Sequence, residues 1–149
     1  MSGFRRRRVL SVGLLSLVSG CSQFGESTPE KRLFRKFRVW NRDDTSHRVD
    51  IRVERDDTEI VDETVALSEG EFTEDSTASF DEAVRKEPGE FVVAFRFADA
   101  ERWTTYPVTE STEARCYGCE IRITDDGEFS VWDAQLGADD CPLAGSTVW

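Results

Sequence analysis

The sequence predicts an all-β sandwich of about seven or eight short antiparallel strands in one domain. Apolar and polar residues alternate with a period of two in several segments of the 149-residue chain, which is typical of strands with one buried face. Polar turn residues separate these segments at roughly ten-residue intervals. No convincing helix lies between consecutive strands, so the pattern disfavours a parallel α/β sheet.

The first two strands show the alternation most plainly. In the segment FRKFRVWN, Phe37 and Val39 fall on one face and the basic side chains fall on the other. In HRVDIRVER, Val49, Ile51 and Val53 share a face, and charged residues share the opposite one. A helix would scatter these apolar residues around its circumference, so both segments are predicted to be strands.

Four further strands are predicted in the middle of the chain. The segment TEIVDETVAL follows an Asp56-Asp57 turn, and residues 76–80 form a short strand that precedes a turn or a short helix. The segment RWTTYPV contains Pro107, which places it at a sheet edge or a bulge. The strongest pattern is FVVAFRF, which places four apolar residues on one face: Phe91, Val93, Phe95 and Phe97.

The segment CEIRITDDGEFSVWD predicts a closing hairpin. A three-residue DDG loop with Gly127 in the left-handed conformation sets Ile123 opposite Phe129 and Ile121 opposite Val131. Both apolar sets then lie on one side of the sheet. A two-residue loop would shift the pairing by one residue and lose this sidedness, so the sequence favours the longer loop.

This strand-rich layout resembles the immunoglobulin-like sandwich domains that are often found on secreted lipoproteins. The resemblance concerns architecture only, because the chain lacks the Cys…Trp…Cys arrangement of antibody domains. Strands of this kind form a rigid frame whose loops offer contacts, and the sequence shows no active-site pattern, so we expect a binding or structural role rather than catalysis.

The charge balance argues against nucleic acid as a partner. The chain has 30 acidic and 19 basic residues and a formal net charge of −11 at pH 7. Such a surface repels phosphates, and we expect little attraction of the folded body to anionic lipid either. Only three of the basic residues are lysines. Acid-rich, lysine-poor chains resemble the proteins of salt-loving archaea and bacteria, because high salt screens neighbouring carboxylates.

The amino-terminal segment has the layout of an export signal. Four arginines precede an apolar run from Val9 to Ser19, which at 11 residues is too short for the roughly 20 that a bilayer span needs. The sequence LVSGC, which ends at Cys21, resembles the lipobox of prokaryotic lipoproteins, and RRRVL at 6–10 resembles a twin-arginine signal. The lipobox resemblance implies cleavage before Cys21 and lipid attachment to its thiol.

These observations divide the chain into three parts. Residues 1–20 are the expected signal peptide, residues 21–32 are a short polar tether lipidated at Cys21, and residues 33–149 are the β-sandwich domain. We expect the domain at the extracellular face of the cell membrane. Its expected partners there are the membrane itself, through the lipid, and an envelope protein.

Three cysteines remain in the domain. Outside the membrane we expect a disulfide from Cys116 or Cys119 to Cys141, which would pin the C-terminal tail to the start of the hairpin. In the hairpin register, Cys119 would face Asp133. Two alternatives stay open. Cys116 and Cys119 could form a redox Cys-x-x-Cys pair, or the three thiolates could bind zinc together with His47. Otherwise His47 is expected to be an exposed turn residue.

No catalytic residue, cofactor or resident metal is predicted. His47 is the single histidine, and the sequence around it has neither a nucleophile elbow nor an oxyanion loop. Trp132, Val148 and Trp149 are expected to close one end of the sandwich. Four acidic pairs lack the spacing of an EF-hand loop and are interpreted as solvated turns: Asp43-Asp44, Asp56-Asp57, Asp125-Asp126 and Asp139-Asp140.

Overall fold

A computed structural model describes residues 32–112, 114–137 and 139–141 of the chain. The expected signal peptide, Cys21, nearly all of the tether, Val148 and Trp149 lie outside these residues. The described part contains eight strands and one short helix. They are β1 (Leu33–Asn41), β2 (His47–Arg55), β3 (Thr58–Leu67), β4 (Thr77–Ser79), α1 (Asp81–Val84), β5 (Phe91–Phe97), β6 (Thr104–Tyr106), β7 (Cys116–Ile123) and β8 (Phe129–Gln135).

The strands form two four-stranded sheets, with the orders β4-β1-β7-β8 and β3-β2-β5-β6. The predicted all-β sandwich of about seven or eight short strands is therefore confirmed, with eight strands in two sheets. One pairing differs from the antiparallel expectation, because β1 and β7 run parallel. These two strands are joined through the rest of the domain and not by a tight turn, so no hairpin constrains their direction.

Apolar residues from both sheets meet in one core between them. Phe34 of β1 stacks on Tyr117 of β7 with ring centroids 5.1 Å apart, and it meets the edge of Phe91 from the opposite sheet at the same separation. This aromatic cluster joins the two sheets at one end of the sandwich. The largest fully buried side chains also include Phe37, Val39, Val49, Ile51, Val53, Val84, Phe95, Ile121 and Ile123.

The middle of the chain follows the predicted pattern with local differences. Asp56 and Asp57 have φ values of 49° and 64° and form the two-residue turn between β2 and β3. The predicted 76–80 strand is shorter, because Phe80 leaves the ladder and buries its ring ahead of α1. The strand in RWTTYPV is the sheet edge β6, which ends just before Pro107 since proline cannot donate to a ladder.

The closing hairpin has the predicted register. Ile121 faces Val131 and Ile123 faces Phe129 across β7 and β8. Gly127 has a φ of 72°, and its backbone N–H donates to the carbonyl of Thr124 at 2.8 Å. The requirement that both apolar sets share one side therefore selected the correct loop length.

Candidate binding cleft

The outer face of the first sheet carries an unusual row of side chains. Along β1, Phe37 and Val39 point into the core, so Lys36, Arg38 and Trp40 point outward. The alternation is reset at the start of β1, where the register with β7 shifts between Phe34 and Lys36. As a result, β1 places two cations and the half-buried indole of Trp40 on this face.

Small residues open a cleft in the middle of this face. Lys36 pairs with Gly118 of β7, and Gly118 pairs with Ala134 of β8. A Cβ atom at Gly118 would lie only 3.2 Å from the Cβ of Lys36, so glycine keeps this space open. The resulting depression, the outer cleft, has a volume of about 240 Å³. It is lined by Lys36, Arg38, Gly118, Cys119, Glu120, Arg122, Trp132, Asp133, Ala134 and Leu136.

The cleft has a cationic side and an apolar side. Lys36 and Arg38 stand on the β1 side, whereas Trp132 and Leu136 stand on the β8 side. Arg122 lies between them, with its guanidinium carbon 4.5 Å from the Trp132 ring centroid. Such an arrangement can hold a ligand that has both an apolar ring face and a negative charge.

Carboxylates accompany the cations of the cleft. Arg122 donates to a carboxylate oxygen of Glu120. Lys36 Nζ lies 2.9 Å from Asp140, although the two side chains remain 40% and 48% exposed. Exposed ion pairs of this kind contribute little to stability. An anion that binds Lys36 more tightly than Asp140 does can therefore displace the Asp140 carboxylate without a large loss of folding stability.

Aromatic side chains extend the face beyond the cleft. Trp40 meets the edge of Phe72 at a centroid separation of 4.9 Å, and the guanidinium of Arg122 lies 5.6 Å from the Trp40 ring. Among the described residues, the exposed large hydrophobic side chains are Phe72 and Trp132. Both belong to this row of alternating aromatic and cationic groups. The expectation that Trp132 closes one end of the sandwich is wrong, because its ring is 54% exposed on the outer face.

The cysteines form the predicted bridge to the tail. Cys116 is disulfide-bonded to Cys141 with a Cα–Cα distance of 5.7 Å, which ties the chain after β8 to the start of β7. Cys119 is a free, buried thiol opposite Asp133, as the hairpin register predicted. Burial, with the nearby Asp133 carboxylate as the next cause, raises the pKa of Cys119. Because Cys116 is bonded to Cys141 and the Cys119 thiol is buried, the structure does not support a Cys116–Cys119 redox pair.

The structure does not assemble the alternative zinc site. Two of its four ligands, Cys116 and Cys141, are joined to each other. His47 lies at the start of β2, where its Nε2 is 2.6 Å from Asp43 and its ring is 5.0 Å from that of Phe97. Within residues 32–112, 114–137 and 139–141, no group of three His, Cys, Asp or Glu residues could hold a metal ion.

The surroundings of His47 correct two expectations. His47 is half-buried rather than exposed, and Asp43 is buried rather than solvated. The hydrogen bond with His47, followed by that from Thr45, lowers the pKa of Asp43. Asp43 also accepts a backbone hydrogen bond from Gly70 through its carbonyl oxygen. This cluster of hydrogen bonds fixes the β1–β2 loop.

Other acidic turns also hold structural contacts. The Oδ1 of Asp56 accepts a hydrogen bond from the backbone of Glu90 at 3.0 Å. Asp125 lies 4.0 Å from Arg42, and Asp140 pairs with Lys36. Each of the other three acidic pairs that were interpreted as solvated turns therefore makes a side-chain contact. None of these contacts brings a set of carboxylates together.

Sequence reasoning missed the cleft, although it identified one of its strands. The segment FRKFRVWN correctly placed Lys36 and Arg38 on the polar face of a strand. The far side of the cleft comes from Trp132 and Leu136, which reach this position only because β7 lies between β1 and β8. No local pattern indicates that a first strand and a seventh strand are neighbours. The run of basic and aromatic residues in FRKFRVWN, within an otherwise acidic chain, is the sequence signal that could have indicated a binding surface.

Comparisons with known proteins add no family to this description. No protein-family model matches the chain, and no curated protein matches it significantly. In the part of the chain that the structure describes, no helix has both the length and the apolar character that a membrane span requires.

Proposed function

We propose that this chain is an exported, lipid-anchored domain at the extracellular face of the cell membrane, where it acts as a non-catalytic binding module. The outer cleft carries the proposal of a binding role. It combines Lys36 and Arg38 with the exposed ring of Trp132 on a rigid sheet. Concave sites with an apolar side and a few placed polar groups are the usual form of ligand sites.

The disulfide supports the proposed compartment. Disulfides persist in oxidising surroundings and are rare in the cytosol of most organisms. The Cys116–Cys141 bridge is therefore consistent with export, which the lipobox-like residues before Cys21 imply independently. A lipid on Cys21 would localise the domain, and the polar tether would separate it from the lipid surface.

The described residues favour binding over catalysis. His47 pairs with the buried carboxylate of Asp43 and not with a serine or cysteine. Cys119 is buried, and its pKa is raised. These groups therefore do not form a general base beside an activated nucleophile.

Replacement of Cys21 tests the anchoring. We expect wild-type protein to sediment with membranes after a high-salt wash, and Cys21→Ser protein to remain in the soluble fraction. Cys119→Ala is the matched control, because it removes a thiol from the domain and leaves the anchor in place. The proposal is wrong if Cys21→Ser protein sediments as the wild type does.

A further inference from the structure

We propose that the outer cleft binds acidic carbohydrate chains, with a sugar ring against Trp132 and a ring carboxylate between Lys36 and Arg38. This inference rests on the proposed function, because an extracellular module meets such chains outside the cell. The proposed ligands are pyranose rings that carry carboxylate groups.

Charge complementarity is the first argument. β1 carries Arg35, Lys36 and Arg38 and has no acidic residue between Leu33 and Asn41. The whole chain has a net charge of −11. Three basic and two acidic side chains line the outer cleft, so the cleft is much less acidic than the chain as a whole. An anionic ligand finds basic side chains here and is repelled by most of the remaining surface, which restricts where it can bind.

The geometry of the two sides is the second argument. Lys36 and Arg38 are two residues apart on one strand, so their Cα atoms are separated by about 7 Å on the same face. A carboxylate between them can accept hydrogen bonds from both side chains, and Arg38 can bind it through two parallel N–H groups. Trp132 stands across the cleft floor, where the apolar face of a ring attached to that carboxylate can cover it.

The exposed indole is held in place before a ligand arrives. The guanidinium of Arg122 lies 4.5 Å from the Trp132 centroid, and Arg122 is itself fixed by its hydrogen bond to Glu120. Residues that are already ordered lose little conformational entropy on binding. Trp132 is 54% exposed, so it offers a large apolar surface that a bound ring would remove from water.

The same observations disfavour an acidic peptide and a membrane surface. β1 and β7, which form the floor of the cleft, are inner strands whose backbone groups are paired on both edges. An extended peptide can add only to the free edge of β8, where it lies beside Trp132 and away from Lys36 and Arg38. Gly118 and Ala134 make the centre of the face concave, whereas a flat lipid surface requires protruding contacts. A ring with a charged substituent fits both the concave shape of the cleft and the separation between its cationic side and its apolar side.

Calorimetric titration of the purified full chain in detergent tests this inference. We expect trigalacturonate to bind, and the neutral trisaccharide maltotriose to bind at least tenfold more weakly. Trp132→Ala and the double variant Lys36→Gln/Arg38→Gln should each weaken trigalacturonate binding at least tenfold. Trp103→Ala is the matched control, since Trp103 also lies beneath arginines but belongs to the other side of the sandwich, and it should bind as the wild type does.

A second variant distinguishes loss of binding from loss of folding. Ala134→Phe fills the cleft and leaves every charge in place, and it should also abolish binding while its thermal unfolding stays cooperative. The inference is overturned if trigalacturonate fails to bind the wild type, or if Trp132→Ala binds it unchanged. Equal or tighter binding of polyglutamate, or of phosphatidylglycerol vesicles, would equally overturn it. Because titration needs no membrane localisation, its failure is distinguishable from a failure of the Cys21→Ser experiment.

Discussion

Asp43 shows how a residue in a polar turn becomes part of the fold. The residue is only 7% exposed, and its carboxylate accepts hydrogen bonds from Thr45 Oγ1 at 2.9 Å and from the backbone of Asp44 at 2.8 Å. His47 Nε2 lies 2.6 Å from Oδ2 of Asp43, the same oxygen that accepts the hydrogen bond from Thr45. A buried carboxylate requires such partners, because loss of hydration would otherwise be costly.

The lowered pKa of Asp43 predicts a specific acid sensitivity. A carboxyl group whose pKa is lower in the folded state stabilises the fold above its unfolded pKa, near 4. That contribution is lost as the pH falls through the unfolded value toward the folded one. We therefore expect Asp43→Asn to lower the free energy of unfolding at pH 7 and to lose part of the decline that the wild type shows between about pH 5 and pH 3.

Urea unfolding followed by tryptophan fluorescence across this pH range measures the effect. Asp44→Asn is the control, because Asp44 is the exposed neighbour and should leave the acid-induced decline as in the wild type. If Asp43→Asn and the wild type lose stability in parallel as the pH falls, the assigned role of the Asp43–His47 contact is incorrect.

At the scale of elements, the first strand and the last hairpin depend on each other. β1 pairs with β7 over its whole length, and the disulfide between Cys116 and Cys141 holds the segment after β8 against the start of β7. The backbone of Leu136 also donates to the carbonyl of Cys116 at 3.1 Å. The bridge therefore stabilises the same edge of the sandwich that forms the apolar side of the cleft.

Removal of this bridge should be costly. The two cysteines are separated by 25 residues, so the double variant Cys116→Ser/Cys141→Ser should lower the free energy of unfolding by about 3 kcal/mol. Chemical denaturation under non-reducing conditions measures the change. Cys119→Ala serves as a reference for a buried thiol outside the bridge. A double variant as stable as the wild type would show that the bridge does not constrain the chain.

Much of the element structure could be predicted because its causes are local. The alternation around Val49, Ile51 and Val53 depends only on side-chain direction, and the hairpin register depends only on which side Ile121 and Ile123 face. The choice of Cys116 over Cys119 as the bridged residue could not be predicted. Both lie in β7 and both are buried, and only the path of the chain after Leu136 distinguishes them.

The cleft could not be predicted because it is a property of strand order. Its β1 side was visible in the sequence, since Lys36 and Arg38 alternate with core residues. Its other side requires the parallel β1–β7 pairing between strands far apart in the chain, and the space between the sides requires Gly118 at the point of closest approach. Residue patterns do not encode contacts of this range.

At the scale of the whole molecule, charge is unevenly distributed. The chain has a net charge of −11, yet β1 has three basic residues and no acidic one. Elsewhere carboxylates are crowded, as in β3, which has three acidic residues and no basic one. Repulsion among exposed charges destabilises the compact state, and dissolved salt weakens that repulsion.

We therefore expect thermal stability to increase with salt. The Debye length falls from about 10 Å at 0.1 M to about 3 Å at 1 M salt, so the midpoint of thermal unfolding should rise between 0.1 M and 2 M sodium chloride. Circular dichroism at 218 nm follows the loss of sheet. The control is the wild-type domain in glycerol at equal osmolarity, which separates screening of the surface charges from preferential exclusion of the solute. A midpoint that stays constant or falls would contradict a salt-adapted surface.

Intact-mass measurement of the protein extracted from cell membranes tests the proposed function most directly, with alkylation under denaturing, non-reducing conditions. We expect a chain that starts at an acylated Cys21, contains one disulfide and takes up one alkyl group, at Cys119. An uncleaved, unacylated chain in which every cysteine can be alkylated would contradict both the surface anchoring and the oxidised bridge.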